Sequence, residues 1–187
     1  SETVSAYKGL PLILYGHSMG GNLILNYLLR NAEGISGAIV TGPYLRFGFE
    51  PPKWKVLLAK LSANIYPSLS QSTGLEKIAL SRSSKVIQEY ENDPLVHDKI
   101  TASFFINIHQ GGIDAITRSK ELKTEILLMH GAKDRLTSPE GSKVFYSNAG
   151  PNVRFHLLEE LYHEIHNEPE KNEVFQLQLD WLGALLM

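Results

Sequence analysis

Residues 16–21 read Gly-His-Ser-Met-Gly-Gly. They stand between a short apolar run, residues 10–15 (LPLILY), and a leucine-rich stretch over residues 22–30. The run predicts a buried parallel strand, the stretch a largely buried helix. A G-x-S-x-G turn between such elements places a severe demand on the backbone. The serine must adopt a strained conformation, and its neighbours must be small to avoid collision. The turn lifts the serine hydroxyl above the strand end, and the helix N-terminus behind it favours developing negative charge. The letters alone also fit a chance glycine-rich turn; the strand–helix context weighs against that. A phosphate loop does not fit, because neither G-x-x-x-x-G-K-[ST] nor G-x-G-x-x-G is spelled.

Strand–helix alternation recurs along the chain. Residues 35–41 (ISGAIVT) predict a second buried strand, stopped by Gly42-Pro43. Residues 125–130 (EILLMH) and 153–158 (VRFHLL) predict a third and a fourth, and residues 139–148 and 173–186 predict helices. The stretch 44–118 breaks this rhythm. Trp54, Leu57, Leu58, Leu61 and Ile65 recur at helical spacing between Pro51-Pro52 and Pro67. Residues 73–90 read as loop then helix, and 103–116 as a helix that Gly111-Gly112 weaken. The expected organisation is therefore a core over residues 1–43 and 119–187, with a helical cap or lid over 44–118. The fold class is α/β, with a parallel sheet and right-handed crossovers.

A serine hydroxyl needs a base, and the base needs an orienting acid. In folds built around a G-x-S-x-G serine turn the order is Ser, then Asp or Glu, then His, with each partner in a loop at a strand's C-terminal end. Asp134 follows the third strand in HGAKD, and His163 follows the fourth in LYHE. His166 is the rival base; His163 is preferred because it lies nearer the strand end. His17 adjoins the serine, but its side chain is expected to point away from the hydroxyl. His130 and His156 read as packed strand histidines, and His97, His109, Asp98 and Asp114 as ordinary residues of the insertion. Lys133 and Arg135 flank Asp134 and either hold it ionised or are plain surface charges. His163-Glu164-Ile165-His166 is one residue short of H-E-x-x-H, so no metal is expected.

Composition removes other classes. A net charge of −2 leaves no basic footprint for nucleic acid. The absence of cysteine removes disulfides, thiolate metal sites and a thiol nucleophile. No apolar run suits a transmembrane helix, and residues 1–9 lack the pattern of a signal peptide. The expected location is the cytoplasm or a membrane surface.

Five segments together carry a family resemblance: GHSMGGNLILNY, SGAIVTGPYL, TGLEKIALSRSSKVIQEYENDPLVHDKIT, HGAKDRLTSPEGS and LYHEIHNEPE. They resemble the monoacylglycerol lipase and lysophospholipase group of serine α/β-hydrolases, also classed with the serine aminopeptidase hydrolases. The resemblance implies an α/β-hydrolase fold, of which this chain carries the C-terminal half of the parallel sheet and the lid. It implies a triad of Ser18, Asp134 and His163, with the Met19 backbone N–H in the oxyanion hole. It also implies hydrolysis of single-chain acyl glycerols and related carboxylic esters, without metal or cofactor.

In that family the core begins well upstream of the serine turn and supplies a His-Gly turn with a second oxyanion donor. Here seventeen residues precede Ser18. The first strand is therefore expected to have an unpaired edge, and the oxyanion hole to be half encoded. Losing one such donor typically costs about a hundred- to a thousandfold in rate.

The expected partner is a lipid or small ester. Residues 46–66 carry a net charge of +3 beside the apolar stripe. That pattern fits a helix lying on an anionic membrane and admitting an acyl chain through Trp54, Leu57, Leu58 and Leu61. It equally fits a cap helix packed on the core with a solvated basic face. Three other readings stand beside the lipase: a peptidase, a small-ester hydrolase, and a non-catalytic remnant. An epoxide hydrolase or dehalogenase is disfavoured, because an aspartate would stand where Ser18 does.

Overall fold

The computed structural model describes residues 9–48, 62 and 65–187. Its centre is a four-stranded parallel sheet of β1 (Ile13–His17), β2 (Gly37–Thr41), β5 (Glu125–Gly131) and β6 (Val153–Leu158), in that spatial order. The register is continuous: Tyr15 lies beside Ile39, Ile39 beside Leu127, and Leu127 beside Arg154.

Successive strand side chains point to opposite faces, so each strand feeds two cores. Ala38, Val40, Ile126, Leu128 and Val153 face one side. There they meet Leu25 and Leu28 of α1 (Met19–Leu28), Ala115 and Ile116 of α3 (Ala102–Arg118), and Phe145 of α4 (Pro139–Asn148). Ile39, Leu127 and Met129 face the other, against Val174 and Trp181 of α5 (Lys171–Leu186). Burial on both faces explains why β2 and β5 are near-continuous apolar runs rather than alternating ones.

Several boundaries differ from those read in the sequence. The first strand starts at Ile13 and runs through His17, and α1 begins at Met19 rather than at Asn22. The turn is thus tighter than its glycine content suggests. In the stretch assigned to helices, β3 (Ser70–Ser72) and β4 (Lys99–Thr101) form a small antiparallel pair flanking α2 (Ser84–Asn92). Three-residue strands such as SQS carry no alternation to read. Helix α3 runs straight through Gly111-Gly112. A Cβ at Gly111 would sit 2.9 Å from Asn22 Oδ1, and one at Gly112 would sit 2.4 Å from the Leu45 carbonyl oxygen. Gly111 lets α3 approach α1 closely, and Gly112 lets it lie against the Leu45 backbone. Asn22 and Asn26 then use their amides to cap the Ile108 and Gly111 carbonyls across that contact.

Trp54, Leu57, Leu58 and Leu61 lie outside the described residues. Ile65, assigned to the same stripe, is 82% exposed. Among the described residues no helix is long and apolar enough to cross a membrane.

Candidate functional site

The site lies at the C-terminal ends of β1, β5 and β6, where ligand sites of open parallel sheets concentrate. Ser18 has φ 54° and ψ −117°, and among the described residues it is the one non-glycine with positive φ. Such a backbone is tolerated only where its surroundings fix it. Three backbone bonds do so: Ser18 N–H donates to Thr41 O, while Asn22 N–H and Tyr44 N–H donate to Ser18 O. A Cβ at Gly16 would lie 2.6 Å from Ile24 Cδ1 and 2.7 Å from the Gly20 carbonyl oxygen, so this flank must be glycine. Gly20 faces open space instead, and the second tight position is Gly21, where a Cβ would lie 3.0 Å from Val40 Cγ1 and from Pro43 Cβ.

His163 bridges the two other groups. Its Nε2 lies 3.0 Å from Ser18 Oγ and its Nδ1 2.7 Å from Asp134 Oδ2. A carboxylate only accepts, so Nδ1 carries the proton and Nε2 is left to accept from the serine. The three residues are separated by 29 and 145 positions in the chain and meet only through the sheet. Met19, the first residue of α1, has a backbone N–H without an intrahelical acceptor.

Asp134 is almost wholly buried. Burial opposes its ionisation, but hydrogen bonds from His130 and His163 outweigh that and hold the carboxyl well below the usual carboxylate range. Its Oδ1 accepts from the N–H groups of Leu136 and Thr137. Lys133 and Arg135 are not the cause: Lys133 pairs with Glu160, and Arg135 reaches towards Glu76 and the Tyr162 ring. They are surface charges, because the loop turns their side chains outward while Asp134 turns in.

His17 points away from the hydroxyl, with Nδ1 against Thr41 O and Oγ1. Its ring packs on His163 at 4.6 Å and on His166 at 4.8 Å between centroids. His166 makes no hydrogen bond to Ser18; its Nδ1 is buried without a hydrogen-bond partner. His130, read as a packing residue, is fully buried and bonded to Asp134. Only its place four residues before the acid hinted at this. Beyond the turn, Tyr44 stacks edge-on with Phe47, and Phe47 lies against Phe105 and His109.

Two consequences can be measured. Burial, together with the nearby His163 and His166, pushes the His17 imidazole down to about 3. The unfolded chain binds a proton there below its ordinary pKa near 6.5, and the folded chain does not. His17 therefore contributes stability at neutral pH that is lost as pH falls from 6.5 towards 3, at about 1.4 kcal/mol per pH unit. His17→Asn, which keeps an amide near Thr41, is expected to shrink the stability drop between pH 7 and pH 5 by about 2 kcal/mol in urea titrations. The second concerns Gly131. A Cβ there would lie 2.2 Å from Tyr162 O and 2.4 Å from Leu161 O, backbone atoms of the loop that delivers His163. Gly131→Ala is expected to displace that loop and draw the His163 ring away from Ser18 Oγ with the fold retained, read as a shift of the His163 ring nitrogen-15 signals.

The profile of the serine aminopeptidase S33 family matches residues 1–170. The chain belongs to that family. Among curated relatives it is 31% identical over 179 residues to the monoacylglycerol lipase of Mycolicibacterium smegmatis, covering 95% of this chain and 64% of that protein. It is also 31% identical to phospholipase YtpA of Bacillus subtilis, covering 89% of this chain and 66% of the relative. Among solved structures, monoacylglycerol lipase from Paleococcus ferrophilus superposes with a TM-score of 0.91 at 30% identity, over 98% of this chain and 72% of that one. The family member described here thus has the α/β-hydrolase fold, and spans about two thirds of the length of these relatives.

Proposed function

We propose that this S33-family chain carries the nucleophile, base and acid of a serine hydrolase acting on carboxylic esters of lipids. The observation that carries the reading is the single imidazole of His163 within hydrogen-bond reach of both Ser18 Oγ and Asp134 Oδ2. Ser18 Oγ attacks the ester carbonyl carbon while His163 Nε2 takes its proton. Asp134 holds the ring in the required tautomer and offsets the imidazolium charge. The Met19 N–H donates to the oxyanion, aided by the α1 N-terminus. Collapse of the intermediate passes the proton from His163 to the leaving alkoxide and leaves Ser18 acylated. Water, deprotonated by His163, then attacks the acyl carbonyl and releases the acid and free serine.

A lipid ester is favoured over a short one for two reasons. Relatives at 31% identity are named as a monoacylglycerol lipase and a phospholipase. The rings of Tyr44, Phe47, Phe105 and His109 pack into an aromatic cluster that starts at a residue whose N–H binds Ser18 O. Residues 44–118 are assigned to a cap. Trp54, Leu57, Leu58 and Leu61 are assigned to the acyl entrance, with the basic residues around them meeting the membrane surface.

The test measures hydrolysis of a monoacylglycerol chain-length series, a lysophospholipid, a short acetate ester and an aminoacyl anilide, with fluorophosphonate labelling located by mass spectrometry. Labelling at Ser18 and a preference for monoacylglycerol or lysophospholipid are expected. A preference for the anilide would assign a peptidase. A folded protein that neither labels nor hydrolyses any of the four would overturn the reading.

A further inference from the structure

His130 has no place in that reaction, yet its surroundings are built with the same care as those of His163. It is the penultimate residue of β5 and wholly buried. Its Nε2 lies 3.1 Å from Asp134 Oδ2, and its Nδ1 lies 2.8 Å from Ser142 Oγ on α4. A carboxylate can only accept, so Nε2 donates; the neutral ring's Nδ1 then accepts, and Ser142 supplies the proton. The result is a serine–imidazole arm on each side of one carboxylate. Ser18 and His163 face the site; Ser142 and His130 face the core. Both imidazoles, with the Thr137 hydroxyl, meet the same oxygen, Asp134 Oδ2.

We propose that His130 is a positioning residue that sets how strongly Asp134 pulls on His163. This rests on the serine-hydrolase reading above. Two imidazole N–H groups share the charge of one carboxylate oxygen. What His130 draws is withheld from His163, so the imidazolium is stabilised less than by an Asp134 lacking this donor. His130 also locks the carboxylate plane, with Leu136 and Thr137 N–H fixing the other oxygen. A buried histidine that merely filled space would need its nitrogens satisfied, but not on the oxygen that orients the base. The other titratable groups facing this assembly are His17 from the end of β1, and Glu164 and His166 from the loop after β6. None of these contacts His130.

The test compares His130→Phe, which removes both ring nitrogens, with His130→Gln, whose amide can still donate to Asp134. Three quantities are read on folded protein: kcat, the acid limb of the kcat/KM–pH profile, and the titration of the His163 ring followed by nitrogen-15 NMR. His130→Phe is expected to lower kcat about tenfold. It should move both the acid limb and the His163 titration upward by about half to one pH unit. His130→Gln should restore most of that shift. Ser142→Ala, which frees the far side of the ring without touching Asp134, should give a smaller shift in the same direction and stands in if the phenylalanine variant does not fold. A His163 titration unmoved in every folded variant would overturn the proposal. So would equal shifts in the phenylalanine and glutamine variants. The NMR arm needs no turnover, so a protein that failed to hydrolyse any ester would refute the functional reading separately.

Discussion

Replacing Ser18 by alanine is expected to lower ester hydrolysis about a million-fold, leaving only what binding and the oxyanion donor supply. The size follows from the geometry. The Ser18 oxygen is the group that His163 Nε2 can deprotonate at 3.0 Å, and without it the imidazole and carboxylate have nothing to activate. Replacing His163 should cost a similar factor, and the double variant little more than either single one, because the residues act as one unit. Stability should move the other way when glycine stands at 18. At φ 54° a side chain is strained, and Ser18→Gly is expected to raise stability by about 1 kcal/mol while removing activity. Kinetics with a monoacylglycerol and urea titrations on the same preparations check both. Activity retained in Ser18→Ala would remove Ser18 from the mechanism.

The serine turn was legible because its demand is local. Gly16 has no room for a Cβ, and a short apolar run before it and a leucine-rich stretch after it announce the strand and helix. The spacing of Asp134 and His163 was legible because one βα unit separates them, and the parallel sheet sends both loops to the same edge. Features that depend on which way a side chain turns were not. Lys133 and Arg135 flank the acid in sequence, yet His130 and Thr137, four residues before it and three after, are the ones that touch it. The packing of His17 against His163 and His166 depends on the end of β1 meeting the loop after β6. Gly111-Gly112 reads as a helix weakness until α1 and the Leu45 backbone, packed against one glycine each, explain it.

The largest expected loss of stability lies away from the triad, at Arg82. This residue follows the 3-10 turn Lys77–Ala79 and joins the insertion to the loop behind His163. Its backbone N–H donates to Glu168 Oε1 at 2.6 Å, its Nε to Glu168 Oε2, and its Nη2 to Glu170. Leu80 O accepts from Glu164 N–H, and Ser81 Oγ donates to Asn167 O, so four positions of the loop (164, 167, 168 and 170) are tied to three consecutive residues of one strap. The Glu168 side chain is fully buried and the Arg82 side chain 29% exposed, and this asymmetry decides the outcome. Arg82→Met strands a buried carboxylate with one backbone donor, which is expected to cost about 3–5 kcal/mol. Glu168→Gln keeps an acceptor for the backbone N–H and leaves an arginine that can turn to Glu170 and water; about 1–2 kcal/mol is expected. Removing both charges, as Arg82→Met with Glu168→Leu, should recover much of the loss, since a packed apolar pair replaces a buried ion pair at little net cost. Because the tied stretch begins at Glu164, one residue after His163, activity in Arg82→Met should fall further than the folded fraction does. Urea midpoints and kcat/KM of the three variants decide it. Equal small losses in Arg82→Met and Glu168→Gln would show that the strap is a surface contact and that His163 is held by the sheet end alone.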